Sequence, residues 1–409
     1  MLYCGIDWSW EQLTLFIIDD KGNPIKDFVI NNDLDGFMYA LSTIRHLCKE
    51  HDIIFAIETS NQRVIDFLIS YDYKVYLINS NSMDKFRRRY KTSGVKSDSF
   101  DAFVIANVLR TDTSTLNTIT ADDQLTQELG MVLRDRESLV ELKTRLSNQL
   151  RDSLRQYFPQ ALNLFNDISC IVSLQFLEAF PTHCDAQRAT KKQIQSVLRE
   201  NGYYSEKKLR EIARVLRKKQ FPPRANSIRA KKEFTLFLVS MIKPLIRQIK
   251  AYDEMIESLL EKHPDTELFL SLPGVGNNLA GGMISALGDD RSRFDSAKQI
   301  QSLGGTAPIT KSSGNYRYTQ FRFSCNKTLR KTLHQFAFSS ITKSLWAKNY
   351  YNKKRSEGKT SSHAFRCLAN AWVRVIFAVW KNKTVYDENR HLASVSRHMM
   401  SQNYVLALT

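Results

Sequence analysis

The 409-residue sequence predicts an α/β domain at its N-terminus, an α-helical middle and a mainly α-helical C-terminal domain. Three observations carry that reading. Over the first 120 residues, short β-branched and apolar runs bounded by turn-formers alternate with helical periodicities, the pattern of a sheet with helices packed on it. Near residue 124 the strand signals stop, and leucines begin to recur at helical spacing. From residue 268 a glycine-punctuated helical pattern runs on to about 380.

The elements follow in order. Residues 2–7 (LYCGID) read as a buried strand ending in Asp7, and 13–19 (LTLFIID) as a second strand turned by DDKGNPI. DFVINN is a short third strand, after which Leu34, Phe37, Met38, Leu41 and Ile44 mark a helix. The continuous run IIFAIE (53–58) is a fourth strand ending in Glu58. VIDFLIS is a helix and KVYLIN (74–79) a further strand. In the next helix Ile105, Val108 and Leu109 face a core, which puts Asp98 and Asp101 on its first turn, pointing the same way.

Leu125, Leu129, Val132, Leu139, Leu142, Leu146, Leu150 and Leu154 trace one face of a long helix that ends near Pro159. A second long helix carries Leu238, Ile242, Leu245, Ile249, Tyr252, Ile256 and Leu259, the heptad seam of a coiled coil or helical hairpin. Pro244 inside it predicts a kink or a break. Between the two, KKQFPPRANSIRAKK reads as a loop or arm. The expected domains are 1–120, 121–265 and 266–385, with 386–409 a tail.

With 43% hydrophobic residues the chain has ample material for cores, and no stretch approaches the ~20 apolar residues of a membrane span. MLYCGIDWSW lacks the basic-then-apolar order of a secretory leader. The six cysteines form no CxxC pair, which fits a reducing cytoplasm and argues against a zinc ribbon. Net charge is +17, unevenly spread. Residues 1–125 hold 13 Lys and Arg against 18 Asp and Glu, whereas 186–233 hold 15 against 4, a net +11. An acidic front with a basic middle is the charge plan of a nucleic-acid protein whose acids are engaged elsewhere.

Asp98 and Asp101 alone admit two readings, a metal site or acids favoured by a helix N-terminus. Asp7 and Glu58 weigh on the choice. If the first and fourth strands are neighbours, their ends converge on the first turn of the helix that carries the aspartates. Four converging carboxylates repel, and a hard divalent cation such as Mg²⁺ relieves this best, keeping waters for a phosphate substrate. Two such ions clamp the attacking and leaving oxygens of a phosphodiester. GID, AIE and KSDSFDA on these elements resemble the RNase H-like nuclease fold, in its Holliday-junction-resolvase (RuvC-like) branch.

LPGVGNN (272–278) has the form of a helix-hairpin-helix, in which Gly274 and Gly276 let backbone amides approach a DNA phosphate; a tight turn inside a core is the alternative. Downstream, Ser312 and Ser313 precede Gly314 in a segment of turn-formers, followed by a basic helix with Lys327, Arg330 and Lys331. By spacing alone, SSG is a surface turn. Tyr316, Tyr318, Phe321 and Trp346 lie among these cations, suited either to stacking on bases or to a core.

Together, GIDWSW, AIETS, KSDSFDA, LPGVG and GGTAPITKSSG resemble the DEDD-type transposases of bacterial insertion sequences. The resemblance implies an RNase H-like domain joined by a coiled coil to a C-terminal transposase domain. It implies that Asp7, Glu58, Asp98 and Asp101 hold Mg²⁺ and that Ser313, with Ser312 as fallback, attacks the scissile phosphate. It further implies a homo-oligomer, dimer to tetramer, that pairs the acids of one protomer with the serine of another. Its partners would be double-stranded donor and target DNA and a noncoding bridge RNA, in the bacterial cytoplasm at the nucleoid. Lys96-Ser97-Asp98 and Gly305-Thr306 depart mildly from the family's usual Lys-Thr-Asp and Gly-Leu. Two other activities stay open on the residues: a junction or single-strand endonuclease using the acids and water alone, and an RNA-binding scaffold with vestigial acids.

Overall fold

Strand β1 (Leu2–Trp8) pairs antiparallel with β2 (Gln12–Ile18), and β2 with β3 (Pro24–Asn31). Asp33 then caps α1 (Leu34–Leu47), its side chain accepting from the Gly36 amide. The chain returns as β4 (Ile53–Ile57), parallel to β1 on its other side. It continues through α2 (Gln62–Ser70) to β5 (Val75–Leu77), parallel to β4. Two helices follow, α3 (Ser80–Tyr90) and α4 (Asp98–Asp112), before β6 (Asn117–Ile119) closes the sheet antiparallel to β5. The strand order is β3-β2-β1-β4-β5-β6. In this computed structural model the residues described are 1–49, 52–58, 62–90, 97–119, 122–200, 202, 205–218, 225–314 and 316–394.

β4 is buried along its whole length, which is why it reads as an unbroken apolar run. Ile53, Phe55 and Ile57 join Phe37, Leu41, Ile44, Val64 and Leu68 beneath α1 and α2. Ile54 and Ala56 turn the other way, onto Met83 of α3 and Val104, Ile105, Val108 and Leu109 of α4. The same alternation divides β1. Cys4 and Ile6 enter the α1–α2 core, and Gly5 faces α4.

Residues 1–123 form one unit and 124–409 a second. The second is built on two long helices, α5 (Gln124–Tyr157) and, after the intervening segment, the helix over Ala225–Lys262. Between them lie α6 (Ile171–Ala179), α7 (His183–Arg188), α8 (Lys191–Arg199) and α9 (Glu206–Leu216), so the later long helix is α10. α5 and α10 run antiparallel. Leu129 and Val132 share a core with Ile256 and Leu260, and Leu150 and Leu154 share another with Leu238 and Ile242. Arg136 bonds Asp253 at 2.6 Å along the way, and the Ser153 and Thr235 hydroxyls meet at 3.1 Å.

Much of the basic middle ahead of KKQFPPRANSIRAKK is folded as helices. Ile194 and Leu198 of α8 and Leu209, Ile212 and Leu216 of α9 recur at helical spacing and fill the second core with Phe158, Leu174 and Phe176. Of KKQFPPRANSIRAKK, residues 225–232 are the first turns of α10, and 219–224 lie outside the described residues. Of the kink or break expected at Pro244, the break does not occur: α10 continues through it. Burial of Val239 and Ile242 against neighbouring helices offsets the lost hydrogen bond.

The remaining elements are α11 (Thr266–Leu270), α12 (Asn277–Leu287), α13 (Ala297–Leu303), strands β7 (Ile309–Ser313) and β8 (Tyr316–Gln320), and helices α14 (Lys327–Ser340), α15 (Leu345–Ser356) and α16 (Ser361–Asn382). Their helices pack around Met283, Phe336, Trp372 and Trp380, in one core with the start of α5 and the end of α10. Tyr386 and His391 of the expected tail also pack on Trp372; 395–409 lie outside the described residues. No helix among the described residues is long and apolar enough to cross a membrane.

Candidate active site

The acids of the first unit sit where the strand pairing carries them. β1 and β4 are parallel neighbours, matched in register up to Ile6 opposite Ile57. Asp7 and Glu58 are the next residues on the two strands. Alternation turns Asp7 to the face of Gly5, and Glu58 to the face of Ile54 and Ala56, so both belong to the side covered by α3 and α4.

Gly5 determines how close α4 comes. A Cβ there would lie 2.1 Å from the Ala102 carbonyl oxygen and 2.5 Å from the Ala106 nitrogen, so helix backbone rests directly on strand backbone. Ser97 caps this helix, its hydroxyl accepting from the Phe100 amide at 3.3 Å. At the far end Arg110 donates to the Asp20 carbonyl in the β2–β3 turn. The first turn of α4 thus lies at the end of the sheet where β1 and β4 finish.

Asp98 and Asp101 separate there. Asp98 is exposed, whereas Asp101 is 1% exposed and gripped by Arg87 of α3. Arg87 Nε donates to Asp101 Oδ1 at 2.6 Å and Nη2 to Oδ2 at 2.9 Å, a bidentate pair. Nη2 also lies 3.9 Å from Glu58 Oε2, and Nη1 donates to Asp84 Oδ1 at 2.8 Å. The bond to Asp101 holds the guanidinium charged above even its usual high range. Sequence reading missed Arg87. The only signal was the FRRRY run (86–90), which has no periodicity to mark a helix facing the acids.

Glu58 and Asp101 are therefore brought together, but on an arginine. The donor set is hard oxygen alone and suits a divalent cation by its chemistry. In the geometry described, Arg87 takes the cation's part, and among the described residues no three His, Cys, Asp or Glu side chains converge as a metal cage.

The serines of the second unit lie on an exposed β-hairpin, at the end of the strand that leads into its turn. β7 and β8 pair antiparallel around Gly314, whose φ of +54° suits the turn. The hairpin arises because Ile309, Thr310, Tyr316, Tyr318 and Thr319 are strand-formers on both sides of that glycine. Ser313 pairs with Tyr316 and Lys311 with Tyr318, so these four share a face; Ser312 pairs with Arg317 and looks the other way with Thr310 and Thr319. Both serines are exposed. Tyr316 is 80% and Tyr318 51% exposed.

Other candidates are engaged in the fold. Phe321 is stacked between Arg330 and Arg366, each 4.5 Å from its ring, and Trp346 packs edge-on against Trp372. Arg330 also donates to the Arg322 and Phe323 carbonyls, fixing the base of the hairpin. Lys331 pairs with Glu137 of α5, and partial burial with Arg136 nearby pulls its ammonium below the usual range. Lys327 is exposed at the start of α14. α11 and α12 are joined by a tight turn. Gly274 has φ +83°, and a Cβ there would come within 3.0 Å of the Ser339 carbonyl. Gly276 caps α12 with open space around it.

Comparison with known proteins agrees over both units. A DEDD-type transposase family model matches residues 4–159, and the model described as transposase IS116/IS110/IS902 family matches 266–352. The putative mini-circle transposase for IS117 from Streptomyces coelicolor is 30% identical over 410 residues, covering 96% of this chain and 97% of that protein. A putative transposase, y4uE, from Sinorhizobium fredii is 34% identical over 48% of this chain and 56% of its own length. The IS110 43.6 kDa protein of Streptomyces coelicolor is 27% identical over 71% of this chain and 72% of its own.

Proposed function

Because this chain belongs to the IS110/IS116 family of insertion-sequence transposases, we propose that it cuts and rejoins donor and target DNA with Ser313 as nucleophile, working with Asp7, Glu58, Asp98 and Asp101. The observation that carries the serine step is the hairpin, which exposes Ser313 beside Lys311, Tyr316 and Tyr318. Ser312 faces away from that set. The sheet order and the α4-side register of Asp7 and Glu58 favour an RNase H-like N-terminal domain.

In this reading Ser313 Oγ attacks phosphorus and a deoxyribose oxygen leaves. The phosphodiester energy is kept as a phosphoserine until a sugar hydroxyl of the second strand reverses the exchange. Mg²⁺ held by the acids would neutralise phosphate oxygens and ease deprotonation of the attacking hydroxyl. Lys311 screens the phosphate from the serine's own face. Lys327 and the Gly274–Gly276 turn hold the DNA backbone without regard to sequence. Sequence choice falls to a bridge RNA, and the acids of one protomer serve the serine of another in a dimer or tetramer.

The test uses full-length protein, Mg²⁺ and a plasmid carrying the gene with its flanking DNA, quenched in detergent. Wild type and Ser312→Ala are expected to give a covalent protein–DNA band that Ser313→Ala abolishes. Cleavage by Ser313→Ala at the wild-type rate would overturn the serine step and leave a water-using endonuclease. For the guide, one discrete RNA encoded beside the gene is expected to co-purify; host tRNA and rRNA fragments alone would refute it.

A further inference from the structure

We propose that Arg87 is the resident counter-ion of the acid site, and that a divalent cation enters only by displacing it. The inference rests on the reading of Glu58 and Asp101 as metal ligands. An ionised carboxylate as buried as Asp101 needs a cationic partner at all times, because leaving it unpaired costs far more than pairing it yields. Arg87 supplies that partner through both Asp101 oxygens, and the same Nη2 that holds Oδ2 points 3.9 Å from Glu58. The guanidinium therefore stands between two of the acids. A dication and a guanidinium cannot both lie against Asp101, so the two compete for one position.

The surroundings of Arg87 give it somewhere to go. Its side chain is 21% exposed, and its outer nitrogen already bonds Asp84, which is 83% exposed on the same helix. Swinging outward, Arg87 keeps the Asp84 contact while releasing Asp101. Metal entry then becomes a choice between two arrangements of one side chain, and metal affinity is lowered by the fraction of molecules in which Arg87 is turned in.

The experiment is calorimetric titration of Mn²⁺ into the full-length protein, with melting measured with and without the ion. Arg87→Gln is expected to bind Mn²⁺ about tenfold more tightly than wild type, as for a site otherwise about 90% occupied by its own arginine. Without metal it should melt lower, because Asp101 loses its partner, and Mn²⁺ should restore the loss. Arg87→Lys keeps the charge but not the bidentate grip, so it should fold well and bind severalfold more tightly than wild type. If Arg87→Gln does not fold, Arg87→Lys alone decides the matter. Equal or weaker Mn²⁺ binding by the variants, with wild type still binding, would overturn the competition and leave the metal ligands standing. Absence of binding in all three would overturn both.

Discussion

Replacing Gly5 with alanine tests the packing that brings α4 to the acids. The added Cβ would fall 2.1 Å from the Ala102 oxygen and 2.5 Å from the Ala106 nitrogen, where ordinary contact begins at 3.4 Å. Both obstacles are backbone, so no rotamer change relieves them and the helix must move by about an ångström. Overpacking of this kind costs about 3 kcal/mol. That corresponds to roughly a hundredfold loss of protection from hydrogen exchange if α4 opens as a unit. Asp101 rides on the same turn, and under the proposed function a displacement of about 1 Å there would cost on the order of a hundredfold in rate. The assay is hydrogen–deuterium exchange of α4 amides in the full-length chain, with strand cleavage measured in parallel. Gly130→Ala is the control: its Cβ would make ordinary contacts, with Ser285 at 3.4 Å and the Arg134 guanidinium at 3.6 Å, and alanine inside α5 should stabilise by up to about 1 kcal/mol. Wild-type exchange of α4 in Gly5→Ala would refute close packing of helix on strand.

Two further outcomes follow from the C-terminal unit. Gly305→Ala would force a side chain into φ +63° and to within 2.7 Å of Arg330 Nη2, freeing the base of the hairpin. A loss of about 2 kcal/mol is expected in thermal melting, and an unchanged melting point would show that Arg330 does not depend on that glycine. His334 has its basicity lowered, first by burial and then by Arg366 and Arg330. Because its folded pKa lies below the unfolded value near 6.5, the unfolded chain binds more protons once pH falls through about 6.5, and stability drops with it. Melting at pH 7.5 and 5.5 should show a larger loss in wild type than in His334→Gln; equal losses would remove His334 from the account.

Much of the first unit was legible in the sequence because its strands are short apolar runs with turn residues between them. The β1–β4 neighbourhood that aligns Asp7 with Glu58 was only a condition in the sequence, and the parallel pairing of the two strands meets it. What separates Asp98 from Asp101 was not legible, since spacing puts both on one turn and only the packing of α3 decides which is buried. Arg87 was hidden for the same reason. In the second unit the leucine spacing identified both long helices, but the serine segment was read by its turn-formers and not by the strand-forming residues around Gly314. Phe321 and Trp346 illustrate a limit of composition. Among cations, an aromatic ring serves a nucleic acid or the protein itself, and here Arg330 and Arg366 have already claimed Phe321.

The antiparallel pair α5 and α10 holds a core at each end. Over its 34 residues α5 extends for about 50 Å. Such a pair is a lever. A tilt of about 5° at the α8–α9 end carries the bundle around Trp372 through roughly 4 Å, more than the length of a hydrogen bond. A tilt imposed at the basic helices would be felt at the far end as displacement, and the stiffness of two paired helices would set how much of it is passed along.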